Sequence, residues 1–443
     1  MSEPTPTAVV DQTQVGSYFV ANYPPFSVWS ESAVSTAMEA LDSPPAPGVP
    51  LGLYLHIPFC RKRCHFCYFR VYTDKNSDDV GSYLDLVARE WELYAARPAV
   101  ADRPLDFVYF GGGTPSFLSS DQLKRLVGRL TAVSPWSAAE EVTFECEPGT
   151  LTDHKLSVIR DIGVTRLSLG VENFDDHILE INGRAHRSRE IGQAYRVARS
   201  LDFPQINIDL IAGMLGETDE NWQVCIHKAL ALEPDSITIY EMELPFNTTI
   251  SRDLLKGSGR FADPVAAWST KRRWVAEAFE QFEAAGYHVG SAYTAVRNPD
   301  TTHFIYRDRL WQGADLAGLG VASFGYVNGV HMQNWDSWET YAAALDRGTL
   351  PLNRGYRPTP EERLIRELVL QLKLGTIRPA YFAGKYGVDI LDRFSGQFAS
   401  LGRDGYLAAL GPTGISLTRP GLLRVDTLLP RFFLPEHAGI RYT

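Results

Sequence analysis

Three of the chain's five cysteines fall within Cys60-Arg61-Lys62-Arg63-Cys64-His65-Phe66-Cys67, at spacings of four and three. Thiolates spaced this way on one loop can converge on a soft metal centre. Tyr68 and Phe69 follow, so no fourth ligand stands nearby. A structural zinc site wants four ligands. A four-iron cluster held by three thiolates leaves one iron open for a small molecule, and the spacing suits that better. A disulfide framework fails on the odd cysteine count and on context. The neighbours Arg61, Lys62, Arg63 and His65 make the loop polar, which argues against three unrelated core cysteines.

Such a loop needs a rigid element to aim it. Leu51–Ile57 reads as a strand, and Pro58-Phe59 turns the chain out of it. Further strand candidates are 106–110, 141–146, 165–171, 206–211 and 236–242. Helical patterns at 81–96, 120–133, 188–201 and 219–232 lie between them. This alternation is what βαβ units of a parallel sheet require. Chemistry then belongs at the C-terminal ends of the strands, where the cysteine loop stands. Phe110-Gly111-Gly112-Gly113-Thr114-Pro115 leaves the second strand, and consecutive glycines let backbone approach a ligand closely. Glu145 ends the third strand with Glu147 as its rival, while Cys146 alternates to the other face and reads as core. Asp209 is an ionisable side chain inside an apolar strand.

Cys-x3-Cys-x2-Cys after a first strand, with an aromatic before the last cysteine, resembles the radical S-adenosylmethionine (radical SAM) superfamily. The string Tyr54-Leu-His-Ile-Pro-Phe-Cys60 is similar to its oxygen-independent coproporphyrinogen III oxidase branch, which includes haem chaperones and radical C-methylases and cyclopropanases. The resemblance implies an α/β fold: a partial (β/α)6 TIM-type barrel and a smaller, mostly helical, winged-helix-like C-terminal domain. It implies a [4Fe-4S] cluster on Cys60, Cys64 and Cys67, and one or two molecules of SAM. Gly111, Gly112, Gly113 and Thr114 then match the segment that binds the SAM amino group, Glu145 the ribose carboxylate and Arg184 the partner of the SAM carboxylate. Asp209 resembles an acidic residue near the sulfonium and a second SAM, and Tyr54 a tyrosine that touches cluster or SAM. Glu172 stands where the family usually carries Gln, and an ionised Glu cannot donate a hydrogen bond. Tyr54, Glu172 and Asp209 are the expected catalytic side chains. His56 reads as a packed strand histidine, and Tyr240, Glu241, Glu243 and 245–249 as the substrate side. The aromatic and basic stretch 303–311 is either a carboxylate holder or a solvated helix face.

Composition bounds the rest. The chain of 443 residues has 44% hydrophobic and 12% aromatic residues, enough for more than one core. Its net charge of −10 argues against a general nucleic-acid or anionic-membrane binder. No apolar run is long enough to span a bilayer, and the polar N-terminus shows no secretory signal, so a cytoplasmic, monomeric protein is expected. The expected divisions are an arm over 1–50, the barrel with extension strands over 51–350 and the C-terminal domain over 351–443. Residues 1–16 are expected to be mobile. The aromatic run Tyr18–Trp29 is either a packing arm or, as in the oxidases it resembles, a lid. The third cysteine sharpens the reaction: the decarboxylases carry a further cysteine two residues later, where Phe69 stands here. Carbon methylation or cyclopropanation of a small molecule is therefore the leading expectation. Decarboxylation of coproporphyrinogen III and haem delivery are the alternatives. Reductive cleavage of SAM to a 5′-deoxyadenosyl radical calls for an electron donor such as flavodoxin or ferredoxin.

Overall fold

The computed structural model describes residues 19–245, 248–256 and 265–440, with backbone only at 254–256. The expectations for residues 1–16, Tyr18, Phe246 and Asn247 lie outside the described residues. Six strands, β1 (Leu51–Ile57), β2 (Phe107–Gly112), β3 (Glu141–Cys146), β4 (Arg166–Glu172), β5 (Gln205–Ala212) and β6 (Ser236–Glu241), lie side by side in chain order, all parallel. β1 and β6 are not paired to each other, so the barrel stays open. Helices such as Ser77–Ala95, Ser120–Val133 and Asp219–Leu232 return the chain between strands. Their ends are set locally: Asn76 and Ser119 each close a capping box, and Thr218 accepts from Asn221 N–H. The outward strand residues, Leu53, Leu55, Val108 and Leu167 among them, are completely buried beneath these helices. Helices at 153–161, 176–181 and 338–346 were not anticipated.

The sheet extends past both barrel edges. β7 (His288–Val289) and β8 (Thr294–Val296) run antiparallel beyond β6. On the other side, β9 (Asp315–Leu319) pairs parallel to β1, followed by antiparallel β10 (Phe324–Val327), β11 (Val330–Asn334) and β12 (Leu352–Tyr356). β12 pairs with β11, so the sheet reaches past the boundary expected at 351.

The C-terminal part starts with a helix at Pro360–Leu372, capped by Thr359 and Glu362. With Pro379–Tyr386, Ser395–Arg403 and the three-stranded sheet of β13 (Thr376–Ile377), β14 (Leu407–Gly411) and β15 (Gly414–Leu417), it builds a second core. Val20 and Tyr23 of the arm belong to that core, where Tyr23 stacks on Phe433 at 4.9 Å. Phe26 and Trp29 pack on Phe324 and His331 at 4.4 and 4.7 Å. This stretch of the arm therefore packs aromatics onto extension strands and C-terminal domain. Only its first described residue, Phe19, reaches the cavity below.

Burial has a pH signature. It raises the carboxyls of Glu90, Glu217 and Glu243 to about 8, and those of Glu145, Glu172 and Glu241 to about 7, from 4.5. A raised folded pKa means the folded state holds the proton more tightly, so stability is lost as pH climbs from about 4.5 through the folded values. His56, lowered to about 4 by burial, works in the opposite direction but only below its unfolded value of 6.5. Between pH 6.5 and 8 the carboxyls act without that opposition. The metal-free protein should lose roughly 5 °C of Tm across this interval in scanning calorimetry; a flat or rising Tm would contradict these burial assignments.

Candidate active site

The cysteine loop is fixed at several points. Cys60 N–H donates to Tyr72 O and Tyr72 N–H to Pro58 O, at 3.1 and 2.7 Å. His65 N–H donates to Asn182 O, and its Nδ1 lies 3.0 Å from Ile181 O. Phe59 is wedged against Tyr83 and Trp338. The glycine turn after β2 backs the loop: Gly113 N–H donates to Ile57 O at 2.8 Å. A Cβ on Gly113 would come within 2.9–3.0 Å of Ile57 O, Phe59 O and Pro58 C, so only glycine lets the two loops touch.

Cys60, Cys64 and Cys67 line one cavity of about 460 Å³ at the C-terminal ends of the strands. Gly112, Gly113, Thr114, Glu145, Glu172, Arg184 and Asp209 share its walls. Gly111 and Tyr54, expected at the ligand, are not in these walls. A Cβ on Gly111 would press on the Tyr109 and Tyr54 rings, at 2.8 and 3.1 Å. Tyr54 stands deeper, stacked near Tyr109 and Tyr306, with its hydroxyl 3.3 Å from His56 Nδ1. Three residues before the end of β1, it lies roughly 10 Å below the mouth. His56 is buried, as expected of a packed histidine.

The carboxylates are held individually. Glu145 accepts from Tyr109 Oη at 2.6 Å. Its rival Glu147 is engaged by Arg61 at 3.3 Å and by His186 at 3.0 Å, and it caps its own turn. Asp209 accepts from Ser168 Oγ and Asn207 Nδ2, both at 2.9 Å, and burial raises its carboxyl. Glu172 sits at a register shift in β4 with φ +64°, a left-handed conformation that costs about 1 kcal/mol outside glycine. The bend brings its Oε1 to 3.4 Å from Arg184. Arg184 also donates to Gly170 O at 2.8 Å and to Cys64 Sγ at 3.4 Å, while its buried Nε has no partner among the described residues.

Two wall residues escaped the sequence reading. Tyr109 was hidden in an apolar strand. Arg166 was counted only as a strand start, although alternation through Ser168, Gly170 and Glu172 aims it inward; it lies 4.1 Å from the Phe304 ring. The stretch 303–311 is mostly half-buried rather than a solvated face, and the carboxylates it holds are the chain's own Glu140 and Glu141. It enters the helix Ile305–Trp311, whose first amides donate to Glu141 at 3.0 and 3.2 Å, and Phe304 closes the cavity. Cys146 is buried as expected, yet it touches the cavity wall; its thiol faces Phe144 O at 3.9 Å.

The donors fit an iron–sulfur cluster. Burial pushes the Cys60 thiol up to about 12 and the Cys67 thiol up to about 11, so iron must displace their protons. Thr114 Oγ1 lies 3.3 Å from Cys60 Sγ, a hydrogen bond of the kind that tunes a cluster. Thr114→Val should shift the cluster potential negative by some tens of millivolts (roughly 30–60 mV, one kcal/mol or so for one electron) in a redox titration. An unchanged potential would mean that the contact does not reach the metal-bound sulfur.

A cysteine loop, a backing glycine turn, a carboxylate and an arginine meet in this cavity, and residues 54–229, which carry them, match the radical SAM superfamily. The chain carries a radical SAM domain, with the [4Fe-4S] cluster and SAM that this chemistry uses. Within the superfamily it matches the branch of HemN and HemW. It is 29% identical to the haem chaperone HemW of Bacillus subtilis, over 84% of this chain and 96% of the chaperone. It is 28% identical to the oxygen-independent coproporphyrinogen III oxidase of Pseudomonas aeruginosa, over 90% and 89% of the two chains. The fold superposes on coproporphyrinogen III oxidase (HemN) of Escherichia coli with a TM-score of 0.81 at 25% identity, over 94% and 96% of the chains. No described helix is long and apolar enough to cross a membrane.

A [4Fe-4S] cluster, which Cys60, Cys64 and Cys67 would hold, would with SAM supply radical chemistry at this cavity. The protein's share is to hold and orient. Arg184 is placed to pair a carboxylate while it neutralises Glu172. Glu145, with its proton held to near neutrality, can accept from a hydroxyl. Phe19, Phe66 and Phe304 keep water from the walls.

Proposed function

We propose that this radical SAM enzyme acts on a tetrapyrrole, by oxidative decarboxylation of coproporphyrinogen III. The observation that supports this most is the two-way match to HemN over 94% and 96% of the chains, which takes in the elements that cover the cavity as well as the barrel. The relatives named above are coproporphyrinogen III oxidases and a haem chaperone, which weighs against the leading expectation from the sequence. Carbon methylation remains the second reading because of one residue: Phe69 occupies the position where the decarboxylases carry a cysteine. The test is product analysis with reconstituted protein, a low-potential reductant and labelled SAM. Carbon dioxide and 5′-deoxyadenosine from coproporphyrinogen III are expected. S-adenosylhomocysteine formed with 5′-deoxyadenosine would select methyl transfer. Stoichiometric haem binding without SAM turnover would select a chaperone like HemW.

A further inference from the structure

The cavity runs from the cysteine loop down into the barrel. Glu172 and Arg166 are the last and first residues of β4, and both line it. Six steps of strand set their Cα atoms roughly 20 Å apart, so Glu172 marks the mouth and Arg166 the floor. Arg166 is 2% exposed, and its guanidinium lies 4.1 Å from the centre of the Phe304 ring that closes the floor. Among the described residues this guanidinium makes no hydrogen bond and no ion pair. Burial raises the carboxyls of Glu141 and Asp209, and the charge of Arg166 is the largest influence against that rise. Yet the acids around it are served by other donors. Glu141 accepts from Thr143 Oγ1 at 2.9 Å and from the amides of Ile305 and Tyr306. Asp209 accepts from Ser168 and Asn207, and Glu145 from Tyr109. Arg184 at the mouth is committed too, to Glu172, Gly170 O and Cys64 Sγ. The N–H groups of Arg166 are therefore surplus donors on a buried cation. Such a group is costly to leave unmet unless a ligand supplies the acceptor.

We propose that Arg166 is the anchor for a carboxylate of the substrate, taken up at the floor of the barrel while the rest of the substrate lies toward the mouth. In naming that carboxylate as a propionate of coproporphyrinogen III, the inference rests on the decarboxylase reading. The planar fork of arginine takes a carboxylate through two parallel N–H···O bonds, which sets the direction of the arm as well as its affinity. Phe304 covers one side of the fork and excludes water there, which strengthens the pair. Burial pushes the Glu145 carboxyl up to about 7, which lessens its repulsion of an arriving anion. An anchor at this depth selects arms that end in an anion.

Anaerobic calorimetry measures binding of coproporphyrinogen III to the cluster-loaded chain, with neither SAM nor reductant present, so that nothing turns over. The tetra-amide of the same porphyrinogen is the uncharged comparison. Wild type should prefer the tetra-acid. Arg166→Gln should weaken the tetra-acid roughly 10- to 100-fold and the tetra-amide by less than about threefold. Arg166→Lys should recover part of the loss. SAM affinity of both variants should stay within about twofold of wild type, because Arg184 stands at the other end of the cavity. Iron content and Tm are recorded on the same preparations. Should Arg166→Gln fail to load its cluster, Arg166→Lys carries the same comparison of acid against amide. Equal weakening of the two forms would overturn the proposal and leave Arg166 as a packing residue. Binding of neither form to wild type would instead remove the tetrapyrrole reading, and the named occupant with it.

Discussion

Replacing Cys60, Cys64 or Cys67 by alanine should abolish cluster loading and reduce 5′-deoxyadenosine release to the assay background, whereas Cys146→Ala and Cys225→Ala should retain both. The asymmetry follows from where the thiols point. The first three line the cavity on a loop pinned by Tyr72, Asn182 and Ile181. Cys225 is buried beside Asn173, 3.1 Å from its Oδ1, and Cys146 faces a strand carbonyl. A cluster held by three ligands has no spare, so losing one strands the iron. The other two substitutions remove only a buried sulfur, a cost of about 1–2 kcal/mol. Iron content, visible absorption and product release measured on the same preparations check this. A loaded, active Cys64→Ala protein would sink the cluster assignment, and an inactive Cys146→Ala protein with normal iron would move that residue from core to site.

The second large effect is expected at Arg184. Its guanidinium ties together Cys64 Sγ, Gly170 O and Glu172, and its buried Nε has no partner among the described residues. Arg184→Met removes a charge-assisted partner for a ligand carboxylate, a loss of about 2–3 kcal/mol and therefore roughly 30- to 150-fold in SAM affinity. It also leaves the buried Glu172 carboxyl without its cation, which must drive its pKa further above about 7. Weakening should then grow only as pH climbs past neutrality toward that raised value, where Glu172 becomes an unpaired anion. Arg184→Lys should recover only part of the affinity, since a point charge cannot serve three acceptors in a plane. Equilibrium binding of SAM to cluster-loaded protein between pH 6 and 8 measures all of this. Equal affinity for wild type and Arg184→Met would remove Arg184 from the SAM site.

The fold was legible because its signals are local. Six apolar strand runs separated by helix-length stretches already dictate a parallel sheet, and the observed strand limits differ from the expected ones by a residue or two. The cysteine spacing likewise dictates a loop site, since covalent distance alone keeps the three thiols together. The reaction was less legible. Phe69 and Glu172 are single departures from a family pattern, and Phe69 pointed away from the decarboxylases, whereas the extent of the match over both chains favours the decarboxylase reading. One residue changes a local contact; the cover built by arm, extension strands and C-terminal domain sets what fits the cavity.

What the sequence determined by itself is therefore the cluster loop, the glycine turn and the order of the strands that carry them, all set by neighbours in the chain. Tertiary structure decided the rest. Tyr54 and Gly111 are left out of the cavity walls, because the Tyr109 and Tyr54 rings, on neighbouring strands, fill the space in front of Gly111, a cross-strand contact that one strand does not encode. Tyr109, Arg166 and Phe304 came into the wall from three distant segments. Glu145 was separated from Glu147 by which partner reached each one, Tyr109 in the first case, Arg61 and His186 in the second. These are contacts across the sheet and between domains, and only packing of the whole chain brings their partners within hydrogen-bonding range.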